Sequence, residues 1–94
     1  DNQMAGTTHE DAIYNAINVA KRLKGLRLEL GLNQTNFAKA CGLRLTQLAD
    51  WEAGRMRMSL EGSILIYNAY NVGPDYLFLG RKDGLPYKLG LTLE

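Results

Sequence analysis

The sequence predicts a single all-α domain of five helices, followed by a C-terminal tail that is either irregular or a strand. Three observations predict this class. Apolar residues recur three and four positions apart in successive segments, residues suited to helix N-caps and glycines suited to helix ends stand at their borders, and one turn of three residues joins two short segments. We expect residues 17–80 to form the body of the domain, residues 1–16 a helical extension and residues 81–94 the tail.

The first helix is predicted to begin after Thr8, an N-cap residue with Asp11 three positions later, and to end at Gly31. Gly25 lies inside this segment, so the helix either bends there or begins properly only after Asn15. The apolar positions that define the 3.6-residue period are Ala12, Ile13, Ala16, Ile17, Ala20, Leu23, Leu26 and Leu30.

The second and third helices are short and close together. Asn33 is suited to cap a helix that continues to Cys41 and stops at Gly42. The third then covers Arg44 to Glu52 and is closed by Gly54. The inward positions are apolar: Phe37, Ala38, Cys41, Leu48 and Trp51. A turn of only three residues, opened by glycine, forces the helices to cross steeply, which predicts a helix-turn-helix unit.

Two further helices complete the predicted body. Ser59 is suited to cap the fourth helix, whose apolar face we place at Leu60, Ile64, Leu65 and either Tyr67 or Ala69. Residues 73–75, Gly-Pro-Asp, are predicted to open a fifth helix that ends at Gly80.

The tail has a different periodicity. Tyr87, Leu89, Leu91 and Leu93 alternate with Lys88, Gly90 and Thr92, which is typical of a half-buried strand. A lone strand in a helical domain has no partner. We therefore expect either an irregular tail or a strand that pairs across a dimer.

The composition excludes several classes of function. Hydrophobic residues make up 46% of the chain and charged residues 22%, as in ordinary globular proteins, and no apolar run approaches the roughly 20 residues of a membrane span. One Cys and one His make disulfide frameworks, clustered metal sites and nucleophile–histidine catalysis hard to build. Residues 1–4 show no secretory signal, so we expect a cytoplasmic protein. From the composition we expect that it is not an enzyme and has no cofactor, metal or membrane contact.

The charge is unevenly distributed. Residues 21–57 contain eight cations and three anions, a local charge of +5, whereas the other residues contain three cations and seven anions, a charge of −4. The total of +1 therefore conceals a basic segment that suits a polyanionic partner.

An ordered set of residues resembles the phage repressor and Cro-like helix-turn-helix family, also called the xenobiotic-response-element type. The set comprises residues 32–38, 42–43, 51–52, 59–61 and 75–80, with Leu48, Gly54 and Val72. The resemblance covers residues 17–80 and implies a lambda-repressor-like fold. In this family the second helix lies across the DNA backbone and the third enters the major groove, whose width of about 12 Å admits a helix.

The resemblance also implies roles for individual residues. Gln34 would donate to a backbone phosphate, and Arg55 and Arg57 would lie along the phosphates in the loop after Gly54. Arg27 and Glu52 would form a structural ion pair between the first and third helices. Lys39 would add positive charge beside the third helix.

The outward side of the third helix contains the candidate base readers. Thr46 and Gln47 can hydrogen-bond to base edges, Leu45 can pack on a thymine methyl, and Asp50 can accept from a cytosine amino group. The alternative is an ordinary solvated helix face. Two residues depart from the family pattern: Arg44 replaces the usual Ser or Thr cap, and Asp50 replaces an Arg. Arg44 would offset this by reaching a phosphate or a guanine.

These observations predict a sequence-specific regulator, acting as a repressor, that binds double-stranded DNA as a homodimer. The alternative is a protein-interaction or antitoxin-type module of the same fold in which DNA binding is weak or lost. Asp50 and the Arg44 cap favour that alternative.

Overall fold

The computed structural model of the chain describes the backbone of residues 9–93 and the side chains from residue 16 onward. This part folds into six helices without a strand: α1 (His9–Glu29), α2 (Gln34–Cys41), α3 (Leu45–Glu52), α4 (Leu60–Tyr70), α5 (Pro74–Leu79) and α6 (Tyr87–Thr92). The predicted all-α class is confirmed, with α1 to α5 as the five helices of the expected domain.

Helix α1 begins at His9, so the alternative start after Asn15 is wrong, and the helix continues through Gly25 to Glu29. The proposed cap Thr8 and the Asp11 side chain lie outside the described residues. Helices α2 and α4 begin at the predicted caps: the side chain of Asn33 accepts from the Asn36 N–H, and that of Ser59 from the Gly62 N–H.

The core forms where α1 packs against α3 and α5, α2 against α3 and α4, and α4 against α5. The Phe37 and Tyr70 rings stack with centroids 5.5 Å apart and join α2 to the end of α4. Arg22 caps α5 by donating to the carbonyl oxygens of Leu77 and Phe78, at 3.1 and 3.2 Å. Arg22, a cation of the basic segment at residues 21–57, therefore has a structural role. The fully buried large side chains are those of Leu23, Leu26, Phe37, Leu48, Ile66, Val72, Tyr76 and Leu77.

The buried side of α4 differs from the predicted one. Gly62, Ser63 and Ile66 face the core, and the expected apolar face is exposed at Leu60, Ile64, Leu65 and Tyr67. The physical reason is the Trp51 ring, which leaves no space for a Cβ at position 62. The Ser63 hydroxyl is buried without cost because it donates to the Leu60 carbonyl oxygen at 2.7 Å.

The C-terminal segment is neither a strand nor an irregular tail, because residues 87–92 form α6. Residues that alternate with a period of two also include pairs four positions apart, which is a helical spacing. The apolar pattern of residues 87–93 therefore fits both a strand and a helix. Leu89 in α6 and Leu93 directly after it pack on the core, whereas Tyr87 and Leu91 are exposed.

Candidate nucleic-acid interface

The turn between α2 and α3 is set by a glycine in the left-handed conformation. Gly42 has φ 79°, its N–H donates to the Lys39 carbonyl oxygen, and the Leu43 N–H donates to the Ala38 carbonyl oxygen at 2.8 Å. This is the Schellman arrangement that ends a helix and turns the chain sharply. Phe37, Ala38 and Cys41 of α2 and Leu48 and Trp51 of α3 are buried, so the opposite side of α3 is left at the surface.

The exposed side of α3 contains the predicted readers. Leu45, Thr46 and Gln47 are exposed, and so is Arg44, which precedes the helix. The Arg44 side chain has no acceptor for the first N–H groups of α3, so the usual bond from helix backbone to cap side chain is absent. The other bond of a capping box, from the backbone N–H of the cap residue to the side chain three positions later, is present. The Gln47 Oε1 accepts from the Arg44 backbone N–H at 3.3 Å. A bond this long is weak, so the Gln47 amide can exchange it for another partner.

Asp50 is paired with a cation five residues later. Its Oδ1 accepts from the Arg55 Nε at 2.9 Å, and its backbone carbonyl oxygen accepts from the Arg55 N–H at 3.0 Å. Gly54, at φ 75°, turns the chain so that Arg55 returns to the helix end. The negative charge of Asp50, which stands where the family pattern has an Arg, is therefore compensated locally by Arg55.

The predicted ion pair between Arg27 and Glu52 is present and largely buried, with side-chain exposures of 10% and 4%. The Arg27 Nε and Nη2 donate to the two carboxylate oxygens at 2.7 and 2.9 Å, and Nη1 donates to the Leu32 carbonyl oxygen at 2.9 Å. Hydrogen bonding to Glu52 raises the pKa of the Arg27 guanidinium above its ordinary value, against the lowering effect of burial. The pair joins α1 to α3.

Gln34, the predicted phosphate ligand, lies beside this pair. Its Nε2 donates to the Glu52 Oε1 at 3.1 Å, which fixes the direction of the half-buried amide. A shallow groove of about 200 Å³ runs past Gln34, Ala49 and Glu52 and is bordered by Lys24. Lys24 is not among the predicted site residues. Its position three residues before Arg27 places the two side chains on the same side of α1, and this spacing could have indicated that Lys24 lies near the ion pair.

The remaining predicted residues lie in the surrounding surface. Lys39 is exposed on α2, and Arg57 is exposed in the loop between α3 and α4. Met56 of the same loop is 58% exposed and was not selected by the sequence analysis. We call the exposed side of α3 together with Gln34, Lys39, Arg55 and Arg57 the α3 surface.

Two short helices joined by a tight turn, with a buried inner side and an exposed outer side, are the arrangement of DNA-binding domains of the helix-turn-helix class. Comparison with family models agrees, since the model described as Helix-turn-helix matches residues 23–77. The chain belongs to the Cro/C1-type helix-turn-helix family of DNA-binding regulators. Neither a curated protein nor a solved structure matches it.

Between residues 9 and 93, no helix is long and apolar enough to cross a membrane. Within the same part, no group of three or more His, Cys, Asp or Glu side chains is arranged to hold a metal ion.

Proposed function

We propose that the protein represses transcription by binding an operator as a homodimer, with α3 of each copy in the major groove of double-stranded DNA. The observation that carries this proposal is the α3 surface: a short helix buried on one side presents Leu45, Thr46 and Gln47 on the other. Base edges in the major groove offer a distinct pattern of donors, acceptors and methyl groups to such side chains. A regulator of this bacterial or phage type would act in the cytoplasm.

Cations and amides at the border of α3 would position the helix by holding phosphates. Arg55 and Arg57 follow α3, Lys39 and Gln34 are on α2, and Arg44 precedes α3. Charged contacts of this kind fix the register of a protein on the duplex and contribute most of its sequence-independent affinity. We assign Asp50 to holding the Arg55 guanidinium rather than to reading a cytosine, because its Oδ1 is already engaged.

A dimer would read two half-sites about 34 Å apart, one helical turn of DNA. One module of this size buries too little DNA surface for tight specificity, so a second copy is needed. Repression would follow from occupancy of the operator.

The test is duplex binding as a function of salt. We expect affinity to fall steeply as salt rises, in proportion to the number of phosphates neutralised. Gln47→Ala should weaken discrimination between sequences, whereas Arg57→Ala should weaken all sequences about equally. Lys82→Ala, which removes an exposed cation outside the α3 surface, is the matched control.

Absence of binding to any duplex at low salt would overturn the proposal and favour the protein-interaction module. A map of NMR shifts on adding duplex DNA gives the same decision by position. Shifts centred on residues 34–57 are expected, and shifts confined to other helices would contradict the assignment.

A further inference from the structure

A cavity of about 390 Å³ opens between α1, α5 and the C-terminal end of α6. Its volume lies within the range of about 300–1,000 Å³ that small-molecule sites occupy. None of the residues of the α3 surface lines it, so the cavity is separate from the candidate DNA interface. Its lining includes Lys21, Arg22, Gly25 and Glu29 of α1, Tyr76 of α5 and Leu93, which follows α6.

Gly25 lines the cavity, although neither its backbone nor its neighbours require a glycine. It lies inside α1, outside the left-handed region, and a Cβ built there meets nothing within 4 Å. Among the glycines of residues 9–93, it alone has neither a left-handed backbone nor a neighbouring atom that close. A glycine inside a helix costs about 1 kcal/mol relative to alanine. What this glycine provides in return is open space beside α1, and that space belongs to the cavity.

Positive charge stands on the N-terminal side of Gly25. The Arg22 Nη1 donates to the carbonyl oxygens of Leu77 and Phe78, which holds the guanidinium in place at the cavity wall. Lys21 is exposed beside it. Among the described side chains, neither Lys21 nor Arg22 forms an ion pair. An anionic group in the cavity would therefore meet two cations whose charge no nearby carboxylate compensates.

Negative charge stands on the C-terminal side of Gly25. Glu29 is seven residues after Arg22, roughly 10 Å further along α1, and it forms no ion pair with a described side chain. A simple anion that filled the cavity would be repelled by this carboxylate. A molecule with a positive group at that end would be attracted at both ends. Tyr76 and Leu93 are buried and add apolar surface to the wall.

We propose that the cavity binds a small linear molecule with a carboxylate at one end and a primary amine at the other. The carboxylate would lie at Lys21 and Arg22, and the amine at Glu29. The apolar chain between them would lie over Gly25, where a side chain would take its place. The chemistry that selects the ligand is thus the spacing of two opposite charges along α1.

The first test is a titration with ω-aminooctanoate, followed by the amide NMR shifts of isotope-labelled protein. We expect saturable shifts centred on Gly25 and Leu93, with a dissociation constant below about 10 mM. The matched probes are octanoate, which lacks the amine, and octylamine, which lacks the carboxylate. Each should bind at least about threefold more weakly, because it loses one partly exposed ionic contact. No shift with any probe, equal binding of octanoate, or shifts centred on the α3 surface would overturn the proposal.

The second test fills the cavity from α1. Gly25→Leu should weaken binding of ω-aminooctanoate by more than about tenfold, because its side chain would occupy the space of the ligand. The same substitution should not lower the urea midpoint, since leucine is the better helix former. This combination separates a binding role from a structural one. Leu28→Ala is the matched control, because Leu28 is 59% exposed on α1 outside the cavity. A Gly25→Leu variant that binds like the wild type would contradict the site.

The third test removes the negative end of the cavity. In Glu29→Gln, ω-aminooctanoate should bind no better than octanoate, because the amine has lost its carboxylate partner. Lys21→Ala should weaken both of these probes and leave octylamine unchanged. A preference for the amine that survives Glu29→Gln would overturn the proposed orientation.

DNA binding separates this inference from the proposed function. Arg27, which holds α3 through Glu52, is two positions after Gly25 and therefore lies on nearly the opposite side of α1. A chain that binds ω-aminooctanoate but no duplex would overturn the proposed function and leave the cavity site standing. A chain that binds duplex DNA but none of the three probes would do the reverse.

Discussion

Two ion pairs near the end of α3 have similar lengths and opposite surroundings. The inner pair, Arg27 and Glu52, joins at 2.7 Å with side-chain exposures of 10% and 4%, whereas the outer pair, Arg55 and Asp50, joins at 2.9 Å with exposures of 63% and 35%. Asp50 and Glu52 are two residues apart, and residues at that spacing lie on different sides of a helix. One acid is therefore positioned to hold the domain together and the other to shape its outer surface.

Glu52→Ala should have the largest effect on the free energy of unfolding, a loss of about 3–5 kcal/mol, because the Arg27 guanidinium would remain buried without its carboxylate. Urea unfolding followed by circular dichroism measures it. Asp50→Ala, which removes the acid of the outer pair, is the control. Glu52→Gln keeps a hydrogen-bond acceptor and should lose less, so it remains measurable if the alanine variant does not fold. Equal losses for Glu52→Ala and Asp50→Ala would remove the distinction between the pairs.

Gly62→Ala should come second, with a loss of about 1–3 kcal/mol from overpacking against the inner side of α3. A Cβ at position 62 would overlap the Trp51 ring, with 2.9 Å to Cζ3 and a closer contact to Cη2. The matched control is Gly25→Ala in α1, where a Cβ meets nothing within 4 Å. That substitution should stabilise the helix by up to about 1 kcal/mol. A loss at Gly62 no larger than at Gly25 would show that the α3–α4 contact can relax.

Cys41 lies on the buried side of α2, so the ionisation of its thiol tests by pH what burial contributes to stability. Burial raises the pKa of the Cys41 thiol from 9.0 to about 11. Between those pH values the unfolded chain releases the thiol proton while the folded chain keeps it. The contribution of this group to stability should therefore be complete below pH 9 and be lost as the pH rises towards 11.

The measurement is the free energy of unfolding of the wild type and of Cys41→Ala at several alkaline pH values. The wild type should lose stability more steeply than the variant across this window, and the two slopes should agree below it. Identical slopes throughout would mean that the thiol ionises in the folded chain as easily as in the unfolded one.

Local signals account for the parts of the structure that could be predicted. Asn33 and Gly42 act through hydrogen bonds within a few residues, so the bounds of α2 follow from the sequence alone. The buried side of α4 does not, because Gly62 is required by the Trp51 ring, which is far away in the chain. The tail was ambiguous because Leu89 and Leu93 fit a strand and a helix equally well.

The candidate site shows the same division. The exposed side of α3 could be predicted from helical spacing, with Leu48 and Trp51 marking its buried side. The Asp50–Arg55 contact could not, because a separation of five residues is not a helical neighbour spacing. Only the left-handed turn at Gly54 brings the two side chains together.

Asp50→Asn should have the smallest effect on stability, within about 1 kcal/mol, because an exposed pair contributes little. Its effect on DNA binding decides what the outer pair does. If Asp50 holds Arg55 towards a phosphate, Asp50→Asn should weaken binding to all duplexes and reduce the slope of log affinity against log salt by about 0.9. The same substitution in an Arg55→Ala background should then cause no further loss. A uniform gain in affinity would instead show that Asp50 only repels the phosphates. A loss limited to some sequences would show that Asp50 reads bases. Each of these results gives the outer pair a different role from the inner one.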